Sequence, residues 1–296
     1  MNKKIINKIK KLWFKFLGRN IKIGVSYNIF DGEELLPFSI KSVRRNVQYI
    51  NVVYQTVSNF GNSANPDLEE KLKKLTAEGL VDEIYKYEPD FALSPHQNEK
   101  NKRNIGLELA KKRHCNYFLS MDADEFYDEE QFKQALDYII ENNIATSAAS
   151  IIEYLKSPEN QIIGNYTFIP EKFDLYNFYV PFIIKINRFK EQFHGEDYFP
   201  CATDPTRTLF HRGKFRLFSP QELAMHHMST VRLDLNKKYD NSSLLNSDKD
   251  FQENVRKIQS DILNFDFETN KALPDNCAVF RKSIVQKVVN KFGINL

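Results

Sequence analysis

The sequence predicts an α/β protein whose core is a mostly parallel β-sheet flanked by helices. From residue 21 to about residue 141, short apolar runs alternate with longer amphipathic stretches in the order β-α-β-α-β-α-β-α. The fourth apolar run, residues 117–121, ends abruptly in the carboxylates of Asp122, Asp124 and Glu125. With 296 residues, 42% of them hydrophobic, the chain is long enough for one large α/β domain with extensions.

The predicted elements follow one another with polar loops between them. Strands are expected at residues 21–27, 50–57, 83–87 and 117–121, and helices from about residue 33, around 68–75, at 98–113 and around 132–139. From about residue 148 the sequence pattern changes. Residues 150–154, 166–169 and 180–187 predict additional strands, with antiparallel pairing as one option. After Ser219 the chain is polar, and two apolar stripes at helical spacing predict a C-terminal helical extension. The first stripe is Phe251, Val255, Ile258 and Ile262, and the second is Phe280, Ile284, Val288 and Phe292.

The basic residues are concentrated at the N-terminus. Of the 42 Lys and Arg residues, seven lie in residues 1–20, which leaves 35 bases against 39 acids in the rest of the chain. The apolar residues of this segment, with Trp13 among them, recur at helical spacing and lysines fill the other face, so we expect residues 1–19 to lie on an anionic membrane. An amphipathic helix packed on the body, or a basic tail, is the alternative. The acidic balance of the body excludes nucleic acid as its partner.

The expected location is cytoplasmic, peripheral on the inner face of the plasma membrane. No apolar run approaches the ~18 residues of a membrane-spanning helix. Lysines interrupt the apolar part of the N-terminal segment, which argues against a secretory signal. Cys115, Cys201 and Cys277 are far apart and odd in number. They match neither a metal-binding spacing nor a disulfide framework, which favours a reducing compartment.

The acidic motif after the fourth strand indicates a metal site. Ligands bind at the C-terminal ends of strands in open α/β sheets, and bare carboxylates are costly to bury without a partner. Residues two apart in extended backbone point the same way, so Asp122 and Asp124 can meet one ligand together. Two adjacent carboxylates favour a divalent cation, Mg²⁺ or Mn²⁺. The alternative is a solvated acidic turn that opens the next helix, because the acids at residues 128–130 suit a helix N-terminus.

Four segments resemble family 2-type glycosyltransferases with the GT-A fold, of the kind that builds bacterial cell-surface glycans. Residues 23–34 match the strand and loop that begin the nucleotide site of such enzymes, and residues 102–107 are similar to the Arg-Asn-x-Gly segment. Residues 121–126 resemble the DxD motif, and residues 225–232, with Lys238 after them, resemble the late His-x-x-x-x-Arg segment. The resemblance implies a GT-A catalytic domain at residues 20–230, between the basic segment at 1–19 and the helical extension at 231–296. The sequence departs from the family pattern at residues 55–59, where the usual acidic pair is missing. It therefore does not indicate which nucleobase the donor carries.

The resemblance also implies roles for individual residues. The metal ligands would be Asp122, Asp124 and His227, with His226 as the alternative to His227, and an imidazole ligand favours Mn²⁺. Arg103 and Arg232 would meet the phosphates, and Asn28 and Glu33 the ribose or base, although acids in that loop also suit a helix start. The general base would be Asp197, with Glu196 and then Asp204 as the alternatives.

The function predicted from these features is a metal-dependent, inverting glycosyltransferase. It would move a sugar from a nucleotide-sugar, with a UDP-sugar favoured, to a glycan or lipid-linked acceptor of the lipopolysaccharide or capsule type. A sugar-1-phosphate nucleotidyltransferase is one alternative, but it should carry a Gly-rich loop with a basic residue after the first strand. Residues 28–34 hold one Gly and no base. A non-catalytic carbohydrate-binding protein is the other alternative.

Overall fold

The structure is a computed structural model that describes residues 21–163, 179–189, 213–241, 249–269 and 284–296. The basic segment at residues 1–19, the strand predicted at 166–169 and the candidate bases Glu196, Asp197 and Asp204 lie outside the described residues. Within the described ranges, no helix has the length and apolar character that crossing a bilayer requires.

The first half of the fold is the predicted parallel α/β unit. Its strands are β1 (Ile23–Ile29), β2 (Tyr49–Tyr54), β3 (Glu83–Lys86) and β4 (Tyr117–Asp122), and they lie in the order β3-β2-β1-β4 with all neighbours parallel. The helices are α1 (Leu36–Arg44), α2 (Leu68–Ala77), α3 (Pro95–Lys112) and α4 (Glu129–Glu141). Every residue of β1 and β2 is buried, as expected for parallel strands covered on both faces.

The second half extends the sheet with antiparallel strands, so the predicted mixed, mostly parallel sheet flanked by helices is confirmed. Its strands are β5 (Glu125–Tyr127), β6 (Thr146–Glu153), β8 (Tyr179–Lys185), β9 (Phe215–Leu217) and β10 (Ala224–His227). The order continues β4-β8-β6-β10-β5, with β9 paired to β6. β8 is antiparallel to both of its neighbours, while β10 is parallel to β6 and antiparallel to β5.

The region after Ser219, predicted to be helical, contains two strands as well as helices. Helices α5 (Leu235–Asp240) and α6 (Lys249–Leu263) are present, but residues 224–227 form strand β10. Residues 284–287 form strand β11 (Ile284–Lys287), which pairs with β7 (Asn160–Ile163) in a separate two-stranded sheet. The four-residue spacing of Ile284, Val288 and Phe292 predicted a helix, but tertiary pairing overrides so short a pattern, and the β-branched Ile284-Val285 pair suits a strand.

Helix α3 is seated unusually close to the sheet through Gly106. A Cβ at this position would lie 1.9 Å from Ser26 Oγ on β1. Ser26 Oγ donates to Asn51 Oδ1 at 2.7 Å, and Asn51 Nδ2 donates to the Gly106 carbonyl at 3.1 Å. This buried link fixes α3, whose N-terminal half borders the C-terminal ends of β1, β2 and β4.

Candidate functional site

A cavity of about 280 Å³ opens at the C-terminal ends of β1, β2 and β4. This is where open α/β sheets bind ligands. Its wall comes from the β1–α1 loop, the loop after β2, the N-terminal half of α3, the turn after β4 and the segment that holds Arg232 and Lys238. Residues on both sides of the boundary predicted at residue 230 thus line one cavity.

The acidic motif forms a turn at the mouth of this cavity. Strand β4 ends at Asp122, and a turn through Ala123 and Asp124 leads into β5. The buried Glu125 folds back, and its Oε2 accepts a hydrogen bond from the backbone N–H of Asp122 at 3.1 Å. Asp122 and Asp124 both line the cavity, as predicted, but a turn rather than extended backbone brings them there.

Asp122 is held by Arg103 of helix α3. Arg103 Nη2 lies 2.8 Å from Asp122 Oδ1 and 2.9 Å from Glu99 Oε1, while Nη1 donates to Ser120 Oγ at 2.9 Å. Because Glu99 and Arg103 are four residues apart, they share one face of α3. Arg103 is buried and lines the cavity, and its contact with phosphates stays a prediction.

Asp124 is held by two cations from the late part of the chain. Arg232 Nη2 lies 2.5 Å and Lys238 Nζ 2.7 Å from Asp124 Oδ2. Although burial alone would raise it, the charges of Lys238 and Arg232 hold the pKa of Asp124 well below its usual range. Asp124 is therefore a carboxylate at any ordinary pH. Of its two partners, the sequence assigned a role to Arg232 but none to Lys238.

The pairing of β10 with β5 decides between the two histidines. His227 lies opposite Glu125 in this antiparallel register, and its Nε2 is 3.9 Å from Asp124 Oδ1. Alternation along the strand turns His226 the other way, where its Nδ1 contacts the Tyr154 hydroxyl at 2.8 Å. Burial lowers the pKa of His226 to about 4, so it is a neutral core residue. His227 is the histidine beside the acidic motif.

The carboxylate of Asp124 and the imidazole of His227 are side chains of the kinds that bind divalent cations. His227 Nδ1 is anchored by Glu153, with both carboxylate oxygens at 3.0 Å, which is the arrangement that orients metal-binding histidines in proteins. Asp124 adds a carboxylate oxygen on the Nε2 side of the ring. Among the described residues, no group of three or more His, Cys, Asp or Glu side chains is arranged to hold a metal. Further ligands would therefore come from a bound phosphate and water, as is usual for Mg²⁺.

Unsatisfied amides mark the floor of the cavity. Both polar side-chain atoms of Asn28, at the end of β1, are buried without a hydrogen-bond partner among the described residues, and so is Gln55 Oε1 after β2. Buried amides without partners are rare and point to a polar ligand. The structure does not bring Glu33 to this wall. Its carboxylate instead lies 3.4 Å from Lys71 Nζ on α2, because the turn before α1 directs it there.

Several cavity residues were missed by the sequence reasoning. Glu99 and His96 belong to the first turns of α3, which begins at Pro95 and not at residue 98. The signal was present, since Ser94 and Gln97 form a capping box with Pro95 at the first helical position. Gln55 carries no such local signal, and Lys238 was part of the late segment that carries the resemblance but had no role assigned to it.

Solved structures are similar to this chain at a distance. Residues 1–349 of S. aureus TarS match with a TM-score of 0.44 and 14% identity, over 85% of this chain and 73% of that one. The same TarS piece in complex with UDP-GlcNAc gives a TM-score of 0.42 and 14% identity, over 85% and 74%. GalNAc-T7 with UDP, GalNAc and Mn²⁺ gives 0.46 and 13% identity, over 81% of this chain and 49% of that one. No protein-family model and no curated protein matches the sequence. These likenesses are too distant to assign a role to any residue of this chain.

Proposed function

We propose that this chain is a glycosyltransferase that takes a sugar from a nucleotide-sugar donor. One observation carries the proposal: the Asp122–Asp124 turn and the cations Arg103, Arg232 and Lys238 meet at one cavity. Cations and carboxylates at the C-terminal ends of parallel strands suit a ligand that carries both a diphosphate and hydroxyl groups.

The cations suit the leaving group of such a reaction. Breaking the bond between sugar and phosphate concentrates negative charge on the nucleoside diphosphate, which the protein must stabilise. Arg232 and Lys238, which line the cavity wall, would do this. Asp124 and His227, with Asp122 in the same turn, would hold Mg²⁺ or Mn²⁺, which supplies Lewis-acid neutralisation of the diphosphate when bound.

The amides suit the nucleoside. Asn28 offers a donor and an acceptor, and Gln55 offers an acceptor, all without partners among the described residues. A pyrimidine such as uracil presents the complementary pattern along one edge, and a ribose hydroxyl can pair with either group. This favours UDP-sugars as the first donors to test.

The acceptor side of the reaction is proposed from the sequence. Asp197, or else Glu196 or Asp204, would take the proton of the acceptor hydroxyl, and direct attack would invert the anomeric centre. We propose a glycan or lipid-linked acceptor of the lipopolysaccharide or capsule type. Residues 1–19 would hold the enzyme at the inner membrane face.

The test is transfer of radiolabelled sugar from a panel of UDP-sugars in the presence of Mn²⁺. Asp124→Asn keeps the size of the side chain but removes its charge, so turnover should fall by about 100-fold or more while the circular dichroism spectrum is kept. The matched control is Asp137→Asn, because Asp137 lies on the exposed face of α4, paired with Lys133. Equal turnover in Asp124→Asn and Asp137→Asn would refute the proposal.

A further inference from the structure

Two positive charges converge on a single oxygen of Asp124. Lys238 Nζ lies 2.7 Å and Arg232 Nη2 lies 2.5 Å from Oδ2, and the other oxygen, Oδ1, faces His227 Nε2 at 3.9 Å. The side chain of Asp124 is only 5% exposed, so water screens these contacts weakly. A divalent cation that bound Asp124 would meet two charges of its own sign already at the carboxylate.

Arg232 has hydrogen-bond donors that are not used by its contact with Asp124. Its Nε and Nη1 are buried and have no partner among the described residues, although the side chain lines the cavity. The guanidinium packs against the backbone at Gly32, where a Cβ would lie 1.4 Å from Nη1. Leaving buried donors without acceptors is costly, and a guanidinium in this state is suited to phosphate oxygens.

We propose that Lys238 and Arg232 take the place of the divalent cation at Asp124 before the ligands bind, and that Lys238 turns to the diphosphate when donor and cation bind. This inference rests on the proposed function, because it needs a diphosphate in the cavity. Asp124 is neutralised in both states, first by the two side chains and then by the cation. Lys238 is the group that moves, since its flexible stem is 27% exposed, whereas Arg232 engages the phosphates with its spare donors in place.

The two ligands are therefore coupled. When the cation binds alone, Lys238 leaves Asp124 without a phosphate to pair with, and when the diphosphate binds alone, Asp124 loses Lys238 without a cation to replace it. Each ligand therefore binds weakly by itself. When one is bound, the other binds more tightly by the same factor, as linkage requires. Lys238 is thus a residue that binds the diphosphate and competes with the cation, so its removal should change the binding of the two ligands in opposite directions.

The experiment measures each ligand separately with the full chain. Mn²⁺ binding without nucleotide is followed by the EPR signal of free Mn²⁺, and UDP binding in the presence of a chelator by calorimetry. In Lys238→Met, the affinity for Mn²⁺ alone should rise about tenfold, because Lys238 competes with the cation for Asp124. The affinity for UDP alone should fall about tenfold, because Lys238 is proposed to contact the diphosphate. A merely structural role would weaken both.

Two further variants complete the design. Lys238→Arg keeps the charge and should bind both ligands as the wild type does. Lys237→Met removes the same charge from the next residue, which is absent from the cavity wall, so both affinities should change less than about twofold. If Lys238→Met leaves Mn²⁺ affinity unchanged or lowers it while UDP still binds, the inference is wrong and the proposed function stands. If the wild type binds UDP neither with nor without Mn²⁺, both fail.

Discussion

Substitution of Gly106 by Ala tests whether the seat of helix α3 is as tight as described. In an exposed helix, this change would stabilise the protein by about 1 kcal/mol. Here the new Cβ would lie 1.9 Å from Ser26 Oγ and 2.6 Å from Ser26 Cβ. The hydroxyl can rotate away only by giving up its bond to Asn51, and the Cβ is fixed to a buried strand. Overpacking of this kind costs about 3 kcal/mol at the upper end of its range, so we expect a net loss of about 2 kcal/mol.

The assay is urea denaturation followed by circular dichroism, with UDP affinity measured on the same variants. Because Arg103 is one turn away on α3, Gly106→Ala should also weaken UDP binding. Adding Ser26→Gly removes both clashing atoms, and the double variant should recover part of the stability. Gly79→Ala is the control, since nothing lies near its Cβ and only its φ of +71° is strained. It should leave UDP binding unchanged. A gain in stability for Gly106→Ala would refute the close packing.

Three further outcomes are expected. The pKa of His226 lies near 4 in the fold against an ordinary value of 6.5, so the unfolded chain binds more protons between those values. Unfolding free energy should therefore fall as the pH drops from about 6.5 towards 4, by about 2 kcal/mol at pH 5 relative to pH 7, and urea titrations should show a smaller fall in His226→Gln. Glu153→Gln loosens His227 and should lower Mn²⁺ affinity in the presence of UDP by about 10- to 100-fold by EPR, and an unchanged affinity would contradict the anchoring role. Deletion of residues 1–19 should release the protein from anionic liposomes in a sedimentation assay, and unchanged co-sedimentation would contradict the membrane role.

The sequence was most informative where local pattern and fold agree. Strand β1 is buried throughout and β4 is buried over most of its length, and polar loops bound both, so their apolar runs stand out. The carboxylates of Asp122 and Asp124 interrupt this pattern at the point where a parallel sheet binds ligands, which is why the cavity could be located. In helix α3 the predicted start was displaced from Pro95 to residue 98, because the capping box that begins the helix precedes its first apolar residue.

The environment of Asp124 could not be predicted in the same way. Arg232 and Lys238 are separated from it by 108 and 114 residues. Which late residues arrive there depends on the order β6-β10-β5, and hydrophobic periodicity does not encode strand order. The choice between His226 and His227 likewise required knowing that they lie on a strand, whose alternation separates them, and not on a helix.

Asp122 therefore takes its cation from nearby in the sequence, whereas Asp124 takes its cations from far along the chain. Asp122 is held by Arg103 through helix α3, which the early α/β unit supplies by itself. Asp124 takes its cations from beyond residue 230, and its backbone carbonyl accepts a hydrogen bond from Met228 N–H at 2.7 Å, so β10 fixes the turn as well. Because the proposed cation and the residues proposed to bind the phosphates, Arg232 and Lys238, all contact Asp124, loosening the β5–β10 pairing should disturb diphosphate binding before the nucleoside contacts at Asn28. The late segment thus supplies two of the cations on which the proposed sugar transfer depends.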